Sequence, residues 1–290
     1  RTHLLAAFAG HGRSVLLAQQ LEWRQQILRL LDKRLALGAA SATEAQQARA
    51  ALEQSRLELA QADQRVQDAW AGVAAALGLP LASIRHADIR LDGFGSEIAD
   101  LPTQHVREQA LHNRADVQAA LAAYEASQAA LQLEVANQYP DLHLGPGYSY
   151  DAGARKFALS LSGIPLPLFN RNEGPIAEAE ARRKEAEARF NAVQAQSIEH
   201  ADQATQRYRA AVATLQVSDS LWASQQQQLA AARKAFAFGA TDRLSLALAE
   251  LDAGSARLAH EDALARLQSA LGEIEDAMQR PLNVPFDPRR

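Results

Sequence analysis

The chain of 290 residues has no cysteine, one methionine and few aromatics, only 6%. Without thiols it cannot build a disulfide scaffold, a thiolate zinc site, a redox pair or a cysteine nucleophile. Scarce aromatics beside abundant alanine, roughly a fifth of all residues, suit close helix contact better than a thick core. A basic footprint is also missing. The 30 Lys+Arg stand against 34 Asp+Glu, a formal charge of -4, which argues against nucleic acid as a partner. No run approaches the ~20 apolar residues of a spanning helix. That leaves a β-barrel crossing open, since a strand needs only about 9 to 11 residues. Ser, His and acidic residues lack any nucleophile motif or glycine-rich phosphate loop, so no catalytic residue, no cofactor and no enzymatic activity are expected. No two of His3, His11, His86, His105, His112, His143, His200 and His260 stand at i, i+3 or i, i+4. No metal site within the chain is therefore expected.

Glycine and proline are gathered into a few clusters. The intervals between them, 1–37, 42–78, 103–138, 175–238 and 243–278, are rich in strong helix formers, and five helices are expected. The fourth would be about 95 Å long at 1.5 Å per residue, so it needs neighbours along its length. Small and apolar residues recur there at 3/4 spacing through Ala204, Tyr208, Ala211, Leu215, Ser218 and Trp222. After an interruption at Gln225 they continue through Leu229, Ala232 and Phe236. In the last helix Leu244, Leu248, Leu251, Ser255 and Leu258, then Leu264, Leu267, Leu271, Ile274 and Met278, mark a comparable stripe. Each helix is expected to pack along a narrow coiled-coil seam.

Gly38 and Gly239 both end long helices, and 239 − 38 = 201; Pro80 and Pro281 are separated by the same 281 − 80 = 201. Carried through without a gap, that offset also matches Lys33 with Lys234, Ala48 with Ala249, Arg56-Leu57 with Arg257-Leu258 and Arg65 with Arg266. The chain therefore contains a tandem duplication whose unit is a helical hairpin with a glycine reversal. The expected organisation is a first repeat over 1–101 and a second over 102–290. The second comprises helix 103–138, a β-hairpin over 142–169, long helix 175–238, return helix 243–278 and a tail.

The helical pattern stops between Tyr139-Pro140 and Gly174-Pro175. Phe157, Leu159 and Leu161 alternate there with Ala158, Ser160 and Ser162, the period of a strand. The run from Leu142 to Tyr150 can pair with it through a turn at Asp151-Ala152-Gly153-Ala154. Two strands alone are marginally stable and need cover. Spacing leaves two readings open: a hairpin folded on the helices, or one share of an intermolecular barrel with its apolar face toward lipid.

Ile164-Pro165-Leu166-Pro167-Leu168-Phe169-Asn170-Arg171-Asn172-Glu173-Gly174, leading into Ile176-Ala177-Glu178-Ala179-Glu180, resembles the strand-to-helix entry of the TolC family of outer-membrane channels. Its PLPLFNRN form is most similar to the CzcC-like heavy-metal RND efflux subgroup. Asn113-Arg114-Ala115-Asp116-Val117 resembles that family's NRPDL motif, with Ala115 where proline is usual, and Tyr139-Pro140-Asp141-Leu142 resembles its hairpin entry. The fold class expected is mainly α: long antiparallel helical hairpins in tandem repeat, with one β-hairpin contributing to a barrel.

The resemblance implies a homotrimer in the outer membrane, with most of the chain in the periplasm. Its partners would be a periplasmic adaptor (membrane fusion) protein and an inner-membrane RND-type pump. It places Gly38, Ala39, Ala40, Ser41, Gly239, Ala240, Thr241 and Asp242 at the tips that meet the adaptor. Phe157, Leu159 and Leu161 would then face lipid. Acidic rings that narrow some family channels fall where this chain has Ser245 and Leu248, leaving Asp242, one step nearer the tip, as the carboxylate for a constriction. The duplication further leads one to expect a helix and hairpin ahead of Arg1, equivalent to 103–170, so that the chain reads as N-terminally truncated. Two other functions fit parts of the pattern: a soluble coiled-coil scaffold without a pore, and a type I secretion or drug-efflux channel.

Overall fold

A computed structural model describes residues 2–84, 105–139, 143–162 and 171–282. Its elements in chain order are α1 (Thr2–Ala36), α2 (Ala42–Leu77), a single turn α3 (Leu81–Ile84), α4 (Val106–Asn113), α5 (Ala115–Ala136), β1 (His143–Asp151), β2 (Ala154–Ser162), α6 (Glu173–Ala237) and α7 (Arg243–Met278). By contacts these form two compact units. One holds α1 to α3, α6 from Asp202 onward and α7 to Ala277; the other holds 107–201 with Met278–Arg280.

In the first unit the two helical hairpins are built alike. α1 and α6 end at Ala36 and Ala237, and α2 and α7 start at Ala42 and Arg243, each pair 201 apart. Both long helices close on a left-handed glycine, φ 72° at Gly38 and at Gly239. The Gly38 N–H donates to the Leu35 carbonyl and the Ala39 N–H to the Arg34 carbonyl. Gly239 and Ala240 repeat the pattern onto Phe236 and Ala235. This is the Schellman closure, which satisfies the last carbonyls of a helix and requires a residue without a Cβ penalty.

The helices of each hairpin meet along one seam. In α2 buried or half-buried residues follow 3/4 spacing through Ala45, Ala48, Leu52, Ser55, Leu59 and Ala62. In α7 the equivalent positions are Leu246, Ala249, Ala253, Ala256, His260 and Ala263. Of the stripe expected from the sequence, Leu251, Leu267, Leu271, Ile274 and Met278 are buried and Leu244, Leu258 and Leu264 half-buried, while Leu248 is 44% exposed and Ser255 is also exposed. The seam within each hairpin is largely alanine because helices in side-by-side contact approach closest over methyl groups. In α6 the seam runs unbroken through Gln225, which is half-buried, and ends on Ala235 rather than the more exposed Phe236.

Contacts along the seams change in pairs between the repeats. Asp32–Arg49 (3.0 Å) is an ion pair between α1 and α2; its equivalent, Arg233–Glu250 (3.8 Å), has the charges exchanged. Ser14 bonds to Asp63 at 2.5 Å, and the residues 201 further on are Leu215 and Leu264. Such reciprocal changes are what residues in contact require.

In the second unit the single helix expected over 103–138 is instead two, broken at Arg114, where the backbone is extended (φ -68°, ψ 124°). Residues 103 and 104 lie outside the described residues. The break survives without proline because side chains hold it: Arg114 grips Asp116 at 2.6 and 3.0 Å, and Gln118 donates to the His112 carbonyl. Gln279 supplies the cap that Arg114 cannot, accepting from the Ala115 N–H at 2.9 Å. At the other end of α5, Asn172 sits in the left-handed region (φ 59°) and donates its amide to the Glu134 carbonyl and carboxylate at 2.9 and 2.8 Å. Asparagine tolerates that conformation better than most residues. It thereby clasps the end of α5 to the start of α6.

Candidate functional site: the helix reversals and the hairpin

Ser41 and Asp242 begin the return helices, but with different chemistry. Ser41 forms a capping box. Its hydroxyl accepts from the Glu44 N–H at 3.1 Å, and the Glu44 carboxylate accepts from the Ser41 N–H at 2.7 Å. Asp242 caps α7 directly, accepting from the Ser245 N–H at 2.8 Å, and also pairs with Arg34 at the end of α1. Its carboxyl is held below the usual range, first by the Ser245 N–H, then by the Ser245 hydroxyl and then by Arg34. The Glu44 carboxyl is lowered chiefly by the Ser41 N–H and hydroxyl.

The Arg34–Asp242 pair brings the two reversals of one chain together at a single end of the first unit. Gly38 and Gly239 face open space: a Cβ built on either would meet nothing within 4 Å. Beside them stand residues the sequence reading passed over. Leu37 is 83% exposed and its equivalent Phe238 is 87% exposed. An exposed large apolar residue at the same position of both repeats was visible in the sequence only as the residue before each reversal glycine. Of the constriction candidates, Asp242 is committed to its cap and ion pair, while Ser245 and Leu248 lie on a face of α7 exposed beside its buried seam.

The strands pair antiparallel through the turn at Ala152 (φ 51°) and Gly153 (φ 85°), two positive φ values that fit a tight two-residue hairpin turn. The register sets Phe157 opposite Tyr148, Leu159 opposite Pro146 and Leu161 opposite Leu144. One face is thus mainly apolar and aromatic, with Arg155 opposite Tyr150 at its turn end, and the other carries Gly147, Ser149, Lys156 and Ala158. Phe157 and Tyr148 stack with ring centres 5.1 Å apart. Phe157 is 82% exposed and Leu159 75%. A hairpin folded on the helices would cover this face, and neither side chain is covered. The Leu161 side chain and residues 163–169 of the expected hairpin lie outside the described residues.

No described helix is long and apolar enough to cross a membrane, and no group of three metal-ligating side chains occurs among the described residues.

The family model described as outer membrane efflux protein matches residues 106–278. The cobalt-zinc-cadmium resistance protein CzcC of Cupriavidus metallidurans is 32% identical over 149 residues, 51% of this chain and 35% of that protein. Among solved structures, a membrane protein from Pseudomonas aeruginosa superposes with a TM-score of 0.71 at 22% identity, covering 97% of this chain and 65% of its own. The outer membrane protein VceC of Vibrio cholerae superposes at 0.69 and 23% identity, covering 97% and 68%. The chain thus spans about two thirds of the solved structures it overlays, and its match to the curated relative about a third of that protein. With this family match over more than half its length, and a fold of paired long helices and one hairpin, the chain belongs to the outer membrane efflux protein family, the TolC-type channels.

Proposed function

We propose that this chain is part of the outer-membrane channel of a tripartite efflux system. Three copies would form a passive conduit that exports substrate delivered by an inner-membrane RND-type pump through a periplasmic adaptor. The observation that carries the reading is the hairpin, with Phe157, Leu159, Tyr148 and Tyr150 all exposed on one face. Such a face is costly in water and suits the lipid side of a barrel, while the small and polar opposite face suits a lumen. The long helices would stand in the periplasm. The likeness to a cobalt-zinc-cadmium resistance protein, with the PLPLFNRN run, favours divalent heavy-metal cations as the substrate class.

The two reversals are assigned to adaptor contact. Gly38 to Ser41 and Gly239 to Asp242 supply close backbone approach, and Leu37 and Phe238 supply exposed apolar area for an adaptor helix. The Asp242, Ser245 and Leu248 face of α7 is assigned to the lining of the narrow end. The test is the location and detergent-solubilised mass of the full-length protein with its own N-terminus. A trimer in the outer-membrane fraction is expected; a soluble monomer or dimer overturns the reading in favour of a helical scaffold.

A further inference from the structure

A groove in the first unit has no part in the reversals or the hairpin. Its floor is α7 between Arg257 and Gln268, and its walls are α1 between Leu5 and Leu16 and α6 between Tyr208 and Asp219. They bound a cavity of about 1120 Å³, large enough for a small-molecule site. α7 runs antiparallel to both walls, as Arg13–Asp262 and Asp219–His260 show, so the two ends of the groove differ. One end is lined by Leu5, Phe8, Tyr208 and Leu267. The other, nearer the reversals, is lined by Gln216, Asp219, Arg257, His260 and Glu261.

The polar end is not something the packing demands. By the offset of 201, Asp219, Trp222, His260 and Glu261 correspond to Ala18, Leu21, Leu59 and Ala60, which build the same stretch of the first hairpin without a charge. In the second repeat His260 is set between two residues of α6. Its Nε2 lies 2.9 Å from an Asp219 carboxylate oxygen, and its ring rests against Trp222 with centres 4.7 Å apart. Glu261 and Arg257 are exposed and have no ion-pair partner among the described residues, whereas the neighbouring Asp262 is engaged by Arg13. With the histidines counted as neutral, the lining carries two carboxylates against one guanidinium. Negative charge therefore stands beside an apolar and aromatic chamber, where it acts more strongly than in open water.

We infer that this groove binds an amphiphilic organic cation, with its apolar body between Phe8 and Tyr208 and its positive head at Asp219 and Glu261. The groove also faces away from the stripe of α7 assigned above to the lining. Arg257, Glu261, Leu264 and Gln268 stand nine residues beyond the exposed Leu248, Asp252, Ser255 and Ala259 (257 − 248 = 9), which is two and a half helical turns and hence the opposite face. On the channel reading, on which this placement rests, the groove opens on the outside of the conduit. Its ligand then arrives from the periplasm and not along the path of export.

The test is equilibrium dialysis of the full-length protein in lipid nanodiscs, corrected with empty nanodiscs, against tetraphenylphosphonium and against tetraphenylborate, which has the same shape and the opposite charge. Saturable binding of the cation at one site per chain is expected, weakening as salt rises, with no saturable binding of the anion. Glu261→Gln and Asp219→Asn are each expected to weaken the cation by about fivefold. Val15→Trp, which fills the groove from a position 56% exposed, is expected to abolish its binding. No saturable binding of the cation, equal binding of both ions, or cation binding that all three variants retain overturns the inference. Any of these results in a protein that is a trimer in the outer membrane leaves the channel reading intact. Charge-selective binding by a protein found as a soluble monomer keeps the groove, and removes the channel reading and the placement outside a conduit.

Discussion

The two helical hairpins share one backbone plan but not one set of side chains, and their differences follow a pattern. At the reversals the glycine is kept, with φ 72° in both copies. At paired contacts, such as Asp32–Arg49 and Arg233–Glu250, both members have changed together. At the far end of the return helix the copies diverge: the left-handed position is Gly78 (φ 66°) in the first repeat and Gln279 (φ 48°) in the second. A backbone conformation that disfavours a Cβ is conserved between repeats unless the side chain gains something. Gln279 gains a bond, since its carboxamide caps the broken helix at Ala115.

The largest effect is expected where glycine was retained. A β-branched residue at φ 72° costs roughly 1–2 kcal/mol. With nothing within 4 Å of either Cβ position, that cost is conformational and confined to the turn. Gly38→Val and Gly239→Val are therefore expected to reduce export while leaving the amount of outer-membrane protein unchanged. The second should be worse, because the Ser41 capping box offers its return helix two bonds, whereas Asp242 must serve α7 and Arg34 at once. Normal export in both variants would count against the tip assignment.

A smaller effect is expected at the divergent pair. Gln279→Ala keeps the left-handed strain and loses the cap, about 1 kcal/mol, which is roughly a fivefold faster hydrogen exchange at the start of α5. Gln279→Gly restores the first repeat's residue and trades the lost bond against relieved strain, so exchange should change by less than about twofold. Gly78→Gln imports the strain alone, and a loss of about 1 kcal/mol at the end of α2 is expected. If Gln279→Gly is as damaging as Gln279→Ala, relief of strain is not the compensating factor.

Much of this architecture was legible from spacing. The ends of α1, α2, α6 and α7, both reversals and the turn of the hairpin follow from glycine and proline placement and from the offset of 201. What was not legible depends on a partner distant in sequence. The break at Arg114 lacks the proline that would announce it and is held in part by Gln279, 164 residues away. Leu248 and Ser255 fall outside the buried faces of α7 while the rest of that stripe is covered, because leucine dominates a hydrophobicity count whereas close packing also selects Ala249, Ala253 and Ala256. Leu37 and Phe238 escaped notice as site residues because an apolar residue ending a helix reads as its last core position, and only coordinates reveal that both are bare.

The subtlest contrast between the repeats is their response to acid. Asp242 caps α7 with its own charge, whereas the first cap is the neutral Ser41 hydroxyl with Glu44 assisting. Both carboxyls are lowered in the folded state, so each contributes stability that is fully present above its unfolded value and is lost as pH falls through the folded one. The window therefore lies below about pH 4. Protonating Asp242 weakens the acceptor of the Ser245 N–H and discharges the pair with Arg34; protonating Glu44 leaves the Ser41 hydroxyl still accepting from the Glu44 N–H. Hydrogen exchange corrected for intrinsic rates should therefore accelerate as the pH is lowered through this window, more at Ser245 than at Glu44. Asp242→Ser, which leaves the second repeat a neutral hydroxyl as its cap, should remove the acceleration at Ser245. Equal acceleration at both sites in the wild-type protein would mean that the ion pair and the charged cap add nothing to the second reversal.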